Sequence, residues 1–259
     1  MVSTDLFDLS GKVALLTGAS KGMGEAMAEG LAEHGAKVVI SSRKLDQCQE
    51  AADRINAKCG AGSAIAIACN IGYKDQLQGL VDEARAQLGP IDILVANAGV
   101  NPFYGSMSEI PDEAFDKIMG SNVRSNHWLC QMVSKDMLEK GSGSIMITSS
   151  TGAFSPSETL GTYNISKLAD IALVRNLAAE WGPKGVRVNA LCPGLIKTDF
   201  AKAIWDSPEG EKRAKSDIPL GRLGETDDFK GIAVYLASDA SSYMTGQALT
   251  ICGGSNMWT

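Results

Sequence analysis

Residues 13–32 have the sequence Val13-Ala-Leu-Leu-Thr-Gly-Ala-Ser-Lys-Gly-Met-Gly-Glu-Ala-Met-Ala-Glu-Gly-Leu-Ala32. The run from Val13 to Leu16 is short, apolar and continuous, which is typical of a strand that is buried on both faces. The segment from Glu25 to Ala32 is rich in Ala, Leu, Met and Glu and favours a helix. Glycines with the spacing G-x-x-x-G-x-G lie between this strand and this helix. A glycine-rich turn in that context is typical of a loop that holds a dinucleotide pyrophosphate at a helix N-terminus.

Each of these glycines has a separate physical task in a dinucleotide site. Gly18 allows the tight turn, Gly22 lets the backbone approach the pyrophosphate, and Gly24 lets the helix pack against the strand. An ordinary glycine-rich loop is the alternative, but it requires neither the flanking strand nor the flanking helix. The pattern therefore predicts a cofactor-binding loop made of Gly18, Ser20, Lys21, Gly22, Met23 and Gly24.

Strand-like apolar runs recur along the 259 residues, and helical patterns fill the gaps between them. The predicted strands span residues 12–17, 36–42, 62–69, 91–96, 143–150, 186–192 and 247–252. This alternation predicts an α/β fold: a doubly wound, Rossmann-like parallel sheet with helices on both faces and right-handed crossovers. The length, without a linker or an internal repeat, predicts one domain over residues 1–259. In such sheets the ligand binds at the carboxyl ends of the strands.

Tyr163-Asn-Ile-Ser-Lys167 is the second informative stretch. A tyrosine and a lysine four residues apart on a helix project from the same face, one turn apart. An ammonium at that distance favours the phenolate over the phenol, which makes the tyrosine a usable acid/base. A solvated helix face is the alternative for this spacing taken alone. Ser149 and Ser150 end the fifth predicted strand, where alternation sends them to opposite faces, and the pattern alone does not choose between them.

Together these elements resemble the short-chain dehydrogenase/reductase family over nearly the whole chain. The family landmarks occur in order: Thr17-Gly18-x-x-x-Gly22-x-Gly24, Ala96-Asn97-Ala98-Gly99, Asn122, Ser150, Tyr163-x-x-x-Lys167, and Pro193-Gly194 with Thr198. More narrowly, four stretches resemble the NADP(H)-dependent carbonyl and retinal reductases of the peroxisomal dehydrogenase/reductase branch. They are Asn101-Pro-Phe-Tyr-Gly-Ser106, Ala153-Phe-Ser-Pro-Ser157, Tyr163-Asn-Ile-Ser-Lys167 and Pro193-Gly-Leu-Ile-Lys-Thr198. Animal members of that branch end in a Ser-Arg-Leu type peroxisomal address, whereas this sequence ends in Asn256-Met-Trp-Thr259.

The resemblance implies an oxidoreductase in which a hydride moves to or from a nicotinamide and no metal takes part. Tyr163 then exchanges a proton with the substrate oxygen, and Lys167 favours the ionised tyrosine and binds the nicotinamide ribose. Ser150, chosen over Ser149 by the family spacing, polarises the carbonyl, since two hydroxyl donors aimed at one oxygen stabilise the charge that develops there. Asn122 holds a water that links the lysine to solvent; helix capping is the alternative for this asparagine.

The end of the second predicted strand indicates which dinucleotide binds. Lys37-Val-Val-Ile-Ser-Ser-Arg43 lacks an acidic residue for the ribose 2′-OH of NAD, but it offers Ser42 and Arg43, and Lys21 lies in the glycine loop. These groups suit the 2′-phosphate of NADP(H), with ordinary surface cations as the alternative. Asn70 replaces the aspartate that the family usually presents to adenine, and its amide oxygen can still accept a hydrogen bond. The other predicted cofactor-binding residues are Ile71, Asn97, Ala98, Gly99, Tyr163, Lys167, Pro193, Gly194, Ile196 and Thr198.

Apolar side chains near the predicted site indicate a bulky or aromatic carbonyl substrate, or the corresponding alcohol. The predicted substrate-binding residues are Phe103, Tyr104, Ser150, Phe154, Leu160 and Trp205. Core packing is the alternative for each apolar member of this set. Residues 195–220 are the one long interruption of the α/β pattern, and we predict that they form a mobile lid over the substrate. A disordered insert is the alternative for this segment.

Two other functions remain compatible with the sequence. Reduction of a 3-oxoacyl group on acyl carrier protein or CoA occurs on the same scaffold. An acidic carrier protein would require a basic docking patch, for which Lys140, Lys184 and Arg187 are sparse candidates. The second alternative is a non-catalytic NADP(H)-sensing protein, which would not need an intact serine, tyrosine and lysine set. Carbonyl-dependent oxidation of NADPH separates that sensor from an enzyme.

Charge and hydropathy argue against several classes of partner. The net charge is −6 without a basic stripe, which argues against nucleic-acid binding. No run of about eighteen apolar residues is present, so no membrane span is expected. The N-terminal segment lacks the basic and apolar regions of an export signal, and we therefore predict a cytoplasmic protein. Apolar residues around much of the segments after Asn122 and Tyr163 predict a homo-oligomer, most simply a homotetramer, as the resemblance also implies.

Overall fold

The computed structural model describes residues 6–257, which contain one seven-stranded sheet. The strands are β1 (Val13–Thr17), β2 (Lys37–Ser42), β3 (Ala64–Ala68), β4 (Ile93–Ala96), β5 (Gly143–Thr148), β6 (Val186–Pro193) and β7 (Ala248–Ile251). Their order across the sheet is β3-β2-β1-β4-β5-β6-β7, and every neighbouring pair is parallel. The predicted α/β fold with a Rossmann-like parallel sheet is confirmed.

Helices connect the strands and cover both faces of the sheet. They are α1 (Gly22–Glu33), α2 (Leu45–Cys59), α3 (Lys74–Leu88), α4 (Asp112–Met119), α5 (Ser125–Lys140), α6 (Gly161–Trp181), α7 (Lys202–Trp205), α8 (Pro208–Ser216) and α9 (Lys230–Ala237). A π-helical turn at Gly120–Arg124 joins α4 to α5 without a break in the helical path. No helix within residues 6–257 combines the length and the apolar character that crossing a bilayer requires.

The sheet is buried on both faces because alternate residues of its strands face different helical layers. Leu15 and Leu94 face a cluster that includes side chains of α3, α5 and α6. Leu16 and Val95, their neighbours in the chain, face a second cluster with side chains of α1, α2 and α9. Fully burying one such leucine or valine stabilises the fold by about 1.5–3 kcal/mol. Continuous apolar strands are therefore what this two-sided core requires.

The strand order reverses at β1, which has β2 on one side and β4 on the other. The connections after β1 and β4 therefore diverge at the carboxyl edge of the sheet and leave a crevice there, which is where ligands bind in open α/β sheets. The connections after β5 and β6 end at the same edge. The stretches that the sequence singles out follow these four strands, so the fold gathers them at one end of the sheet.

The predicted strands agree with the observed ones to within two residues at each end. β5 ends at Thr148, so Ser150 lies two residues beyond the strand that was predicted to contain it. Residues 195–220 contain no strand, as predicted, but they contain α7 and α8. Pro208 occupies the first turn of α8, and the Ser207 side chain caps it by accepting a bond from Gly210 N at 3.0 Å. This capping signal for a helix was missed.

Candidate active site

The glycine loop follows β1 and takes a backbone path that side chains would block. Gly18 and Gly22 have positive φ values of 63° and 67°, which L-residues with side chains rarely adopt. A Cβ atom on Gly18 would lie 2.9 Å from Ala98 Cα. A Cβ atom on Gly24 would overlap the Gly18 carbonyl oxygen and lie 2.7 Å from Asn97 Nδ2. The loop is therefore packed tightly against the segment after β4.

Asn97 ties three strand ends together beneath this loop. Its Nδ2 donates to Gly18 O at 3.0 Å and to Thr17 O at 3.3 Å. Its Oδ1 accepts from Thr148 Oγ1, at the end of β5, at 3.2 Å. Thr17 Oγ1 in turn accepts from the backbone N–H groups of Asn97 and Ala98, at 3.2 and 3.3 Å. The predicted cofactor-binding residues Asn97 and Ala98 thus help to shape the glycine loop.

The geometry of this cradle fits a bound dinucleotide. Among the described residues, an added Cβ on Gly22 would contact only Thr198 Cγ2, at 3.6 Å. The backbone at Gly22 is therefore open to a ligand. An added Cβ on Gly99 would lie 3.5 Å from both Asn122 Oδ1 and Lys167 Nζ. Glycine at these two positions leaves space for a ligand to lie against the loop and against the polar groups behind it.

Asn122 lies in the π-helical turn between α4 and α5 and is fully buried. Its Oδ1 accepts from Val100 N at 2.8 Å, and its Nδ2 donates to Val100 O and to Ser166 Oγ, each at 3.0 Å. The side chain therefore does not cap a helix. Extra backbone turns of the π type occur frequently at functional sites. Here the turn aims the amide at the loop after β4 and at α6.

Lys167 is 3% exposed, and its ammonium donates to Thr148 O at 2.8 Å and to Asp170 Oδ2 at 3.2 Å. Asp170 is fully buried, and its second oxygen accepts from Asn126 Nδ2 at 3.0 Å. The ammonium has three N–H donors. Two are used within the protein, which leaves one donor, and Lys167 Nζ lies 5.7 Å from the centre of the Tyr163 ring.

The electrostatic surroundings keep Lys167 charged. Burial is the largest single effect and would lower the pKa of Lys167, but Asp170, Tyr163 and the other nearby groups together outweigh burial and raise the pKa. Burial also raises the pKa of the Asp170 carboxyl, against the opposing effects of Lys167 and then Asn126. A buried ammonium in direct contact with a buried carboxylate is the stable arrangement of such a pair, because either charge alone would be costly to bury.

Ser149 and Ser150 point in different directions, as alternation predicts. Ser149 is buried, and its hydroxyl donates to Lys167 O at 2.7 Å, so it holds α6 to the sheet. Ser150 is half-buried and precedes a short 3-10 turn, where its Oγ accepts from Gly152 N at 3.0 Å. That bond leaves the Ser150 hydroxyl hydrogen available. Of the two serines, Ser150 has the geometry of a group that can donate to a ligand.

Tyr163 is half-buried in the first turns of α6, one helical turn before Lys167. Its carbonyl oxygen accepts from Ser166 Oγ at 2.7 Å, which links the backbone of Tyr163 to Asn122 through Ser166. The Tyr163 ring contacts the Phe200 ring, with centroids 6.0 Å apart and planes tilted by 40°. Phe200 lies in the 195–220 segment and is 60% exposed, so this segment reaches the tyrosine.

The predicted 2′-phosphate residues differ in their surroundings. Arg43 is exposed directly after β2, and no described carboxylate forms an ion pair with it. Ser42 Oγ lies 3.1 Å from Cys48 Sγ. Lys21 is exposed but forms an ion pair with Asp199, at the start of the 195–220 segment, and this ion pair lowers the pKa of Asp199. Among the described residues, Arg43 is thus the predicted 2′-phosphate cation that forms no ion pair with a carboxylate.

The remaining predicted cofactor residues follow β3 or lie at and after the end of β6. Asn70 and Ile71 follow β3, and Asn70 Oδ1 accepts from Gly72 N at 3.1 Å. Gly194 follows Pro193 at the end of β6, and its N–H donates to Ile251 O at 3.0 Å. Ile196 is 4% exposed and packs in the core cluster that includes side chains of α1.

The predicted substrate residues differ in how far they are exposed. Phe154 packs partly against the core and Tyr104 is 69% exposed. Phe103 and Leu160 are half-buried on two loops that a bond from Gly105 N to Thr159 O joins at 3.0 Å. The first loop spans residues 101–107. The second spans residues 154–160 and leads directly into α6.

The 195–220 segment contains two aromatic side chains, Phe200 and Trp205. Trp205 is half-buried in α7, and its buried Nε1 has no hydrogen-bond partner among the described residues. Phe200, which the sequence analysis left out of the substrate set, contacts the Tyr163 ring. Phe200 therefore joins Trp205 as a candidate contact for a substrate.

Asp170 and Asn126 were also missed, although a signal for one of them exists. Tyr163, Lys167 and Asp170 are spaced i, i+4 and i+7 and share one face of α6. A lysine and an aspartate three residues apart usually form a surface ion pair, and nothing local in the sequence shows that this one is buried. Asn126, four residues after Asn122, lies on the same face of the preceding helical path.

Comparison with known proteins places this arrangement in context. A family model described as enoyl-(acyl carrier protein) reductase matches residues 18–256. The chain is 41% identical over 248 residues to dehydrogenase/reductase SDR family member 4 of Bos taurus. That match covers 95% of this chain and 88% of the relative.

Solved structures give the same picture. A 7α-hydroxysteroid dehydrogenase complexed with NADH and 7-oxo glycochenodeoxycholic acid is 36% identical with a TM-score of 0.93, over 98% of both chains. A gluconate 5-dehydrogenase from Burkholderia cenocepacia J2315, in complex with NADP and tartrate, is 30% identical with a TM-score of 0.91. It is matched over 97% of this chain and 98% of its own. One of these two proteins was solved with NADH and the other with NADP.

Proposed function

Because the chain belongs to the short-chain dehydrogenase/reductase family, we propose that it is an NADP(H)-dependent oxidoreductase that interconverts a ketone or aldehyde and the corresponding alcohol. The observation that carries this proposal is the buried ammonium of Lys167, which stays charged one helical turn from Tyr163. A tyrosine next to a fixed positive charge is suited to exchange a proton with a substrate oxygen.

The residues of the chain have distinct roles in this reaction. When bound, the nicotinamide cofactor supplies or accepts the hydride. The Tyr163 hydroxyl gives its proton to the carbonyl oxygen during reduction and takes it back during oxidation. The Ser150 hydroxyl donates to the same oxygen, which stabilises the negative charge as it develops. Lys167 uses its third N–H for the ribose or the tyrosine, and Asn122 holds the loop after β4 in place.

The preference for NADP(H) rests on Arg43. It follows β2, where an NAD enzyme of this fold carries an acidic residue for the ribose hydroxyls. Because no described carboxylate competes for Arg43, its guanidinium can take a phosphate bidentately. Lys21 can contact the phosphate only after its ion pair with Asp199 breaks. Ser42 offers a hydroxyl to the same phosphate. The backbone of Gly18, Gly22, Gly99 and Gly194, together with Thr198, would form the rest of the cofactor site.

A screen of the purified protein tests this function. The protein is incubated with NADPH and a panel of bulky ketones, diketones and retinoid-like aldehydes, and with NADP+ and the matching alcohols. We expect oxidation of NADPH that depends on a carbonyl compound. Tight binding of NADPH with no turnover on any member of either panel would support a sensor and contradict the enzyme.

Contacts of the basic residues argue against an acyl carrier protein as the docking partner. Lys140 pairs with Asp92, and Arg187 donates to Ser241 Oγ at 2.7 Å and to Leu236 O at 2.8 Å. Both lie at the amino edge of the sheet, opposite the candidate site, because α5 ends and β6 begins there. Neither is free beside the crevice for an acidic carrier. A free, bulky carbonyl compound is therefore the substrate class that we propose.

The lid is expected to tighten when ligands bind. Its ends are held by a bridge between Ile196 and Gly224 and by a bond from Leu220 N to Gly253 O at 3.0 Å. Between them α8 is mostly charged, and segments with few buried apolar contacts open readily. Hydrogen exchange across residues 195–220 should slow when NADPH and a substrate analogue are added together. Amides of α3 serve as the control, and equal protection of 195–220 with and without ligands would refute the lid.

The protein is expected to form a homotetramer. On α6, Ile165 and Leu168 are 45% and 51% exposed and share one face with exposed Ala172. An apolar stripe that the subunit does not cover favours contact with a second copy. Light scattering at micromolar concentration should give four times the chain mass. Leu168→Asp should lower that mass, whereas Glu50→Lys on α2 should not, and a monomeric wild type would contradict the prediction.

A further inference from the structure

The 195–220 segment begins by crossing the carboxyl edge of the sheet. β6, which precedes it, is three strands away from β1 in the sheet, a distance of about 14 Å. The segment nevertheless reaches the loop after β1, because Thr198 Cγ2 would lie 3.6 Å from a Cβ atom added to Gly22. A bridge between Ile196 and Gly224 fixes the path of the chain just before Thr198. The first residues of the segment therefore lie beside the glycine loop.

An ion pair joins the two parts of the chain at this crossing. Lys21 of the glycine loop pairs with Asp199, which begins a short 3-10 turn in the segment. Both side chains are largely exposed, so this contact can open without disturbing the core. Among the described side chains, every other ion pair of the segment has its partner inside the segment or at Glu225. The Lys21–Asp199 pair is thus the ionic contact by which the described part of the segment holds the glycine loop.

The two cations assigned to the 2′-phosphate are therefore not equally available. Arg43 is exposed and forms no ion pair with a described carboxylate, whereas Lys21 is held by Asp199. A phosphate monoester carries a charge of about −1.5 to −2 at neutral pH, and it offers three strong acceptor oxygens. A carboxylate carries a single negative charge, so a 2′-phosphate within reach attracts the Lys21 ammonium more strongly than Asp199 does.

We propose that Asp199 is a specificity-determining residue, which holds Lys21 until a 2′-phosphate replaces the Asp199 carboxylate. This inference rests on the proposed NADP(H) preference. When NADP(H) binds, Lys21 moves from Asp199 to the phosphate, and the start of the 195–220 segment loses this tether. When NAD(H) binds, no phosphate competes for Lys21, and the ion pair stays. Asp199 thus sets how much the Lys21 charge favours the phosphorylated cofactor, and it links the identity of the cofactor to the mobility of the segment.

The position of the glycine loop favours the 2′-phosphate over the pyrophosphate as the group that takes Lys21. Ala19 N donates to Ser41 O at 3.1 Å, so the loop lies directly beside the end of β2. Ser42 and Arg43 follow at that end. Both cofactors carry the pyrophosphate, and only NADP(H) carries the 2′-phosphate, so a comparison of NADPH with NADH separates the two anions.

Binding of the two cofactors to the purified protein tests this role without turnover. Asp199→Asn removes one charge at an exposed position, so the variant should fold. An exposed ion pair shifts an equilibrium by up to about fivefold. Calorimetry is done at low ionic strength, where exposed charges interact most strongly. NADPH should bind about two- to fivefold more tightly to Asp199→Asn than to the wild type, and the affinity for NADH should stay the same.

Two controls separate the release of Lys21 from a general change in charge. Glu209 is exposed on α8 and forms no ion pair with a described side chain, so Glu209→Gln should leave both affinities unchanged. In a Lys21→Ala background, Asp199→Asn should no longer tighten NADPH binding, because the coupling between two residues is lost when either is removed. Tightening that persists without Lys21, or that is equal for NADPH and NADH, overturns the proposal.

Hydrogen exchange at residues 197–201 reports the tether itself. In the free proteins and with NADH, these amides should exchange faster in Asp199→Asn than in the wild type, because the variant lacks the ion pair. With saturating NADPH the difference should disappear, since the ion pair is then broken in the wild type as well. Equal exchange in the two free proteins, or a difference that persists with NADPH, overturns the proposal.

The same measurements distinguish a failure of this proposal from a failure of the proposed function. A wild type that binds NADPH no more tightly than NADH contradicts the proposed cofactor preference and, with it, the role of Asp199. A preference for NADPH that Asp199→Asn leaves unchanged agrees with the proposed function and overturns the role of Asp199 alone.

Discussion

Tyr163→Phe is expected to lower turnover by at least about 100-fold, which is typical of the loss of a general acid. The substitution removes only the phenolic hydroxyl. The bond from Ser166 Oγ ends on the backbone oxygen of Tyr163, so the contacts that reach Asn122 remain. Lys167 also keeps its bonds to Thr148 and Asp170. Cofactor binding should therefore survive, and the loss should appear in kcat.

Steady-state kinetics on the best carbonyl substrate, together with NADPH titration, measure this effect. Tyr243→Phe is the matched control, because Tyr243 is fully exposed and lies outside the site. The control should retain wild-type turnover and binding. Turnover of Tyr163→Phe within a few-fold of wild type would show that another group supplies the proton.

Replacement of Arg43 is expected to change the choice of cofactor. A charge-assisted contact between a guanidinium and a phosphate contributes about 1.5–3 kcal/mol. Its loss in Arg43→Ala should weaken NADP(H) binding by roughly 10- to 150-fold. NAD(H) has no phosphate there, so its binding should barely change. Arg43→Asp should go further, since the carboxylate repels the phosphate and can accept from a ribose hydroxyl.

The measurement compares kcat/KM and Kd for NADPH and NADH in the wild type and in both variants. Lys37→Ala is the control for Arg43→Ala, because Lys37 is exposed at the opposite end of β2 and its removal changes the net charge by the same amount. A wild type that prefers NADH, or a preference that neither Arg43 variant alters, would identify Arg43 as an ordinary surface cation.

Most of the fold could be predicted because its determinants are local. The strands of this sheet are buried on both faces and therefore appear as continuous apolar runs, and the turn after β1 requires glycine at fixed positions. The end of β5 was harder to predict from the sequence. Ser149 and Ser150 continue an extended path beyond Thr148, and pairing with β6 rather than sequence decides where the strand ends.

The candidate site was predictable where a residue type has a strong preference for a position, and less so where tertiary packing decides. Lys167 and Asp170 have the spacing of a surface ion pair, and only packing against β5 and α5 makes them a buried one. Ile196 lies among cofactor landmarks, but its apolar side chain belongs to the core. Lys21 was expected to be available to a phosphate, and its partner Asp199 lies 178 residues away in sequence.

We propose that this chain moves a hydride between the nicotinamide ring and a carbonyl carbon. The most direct test supplies NADPH carrying deuterium at both C4 positions, with a ketone that the screen identifies, and analyses the product by mass spectrometry. We expect one deuterium on the carbinol carbon and one NADP+ formed per alcohol, with both products reduced about 100-fold in Tyr163→Phe. NADPH consumption without deuterium in an alcohol product, or at the same rate without the ketone, would contradict it.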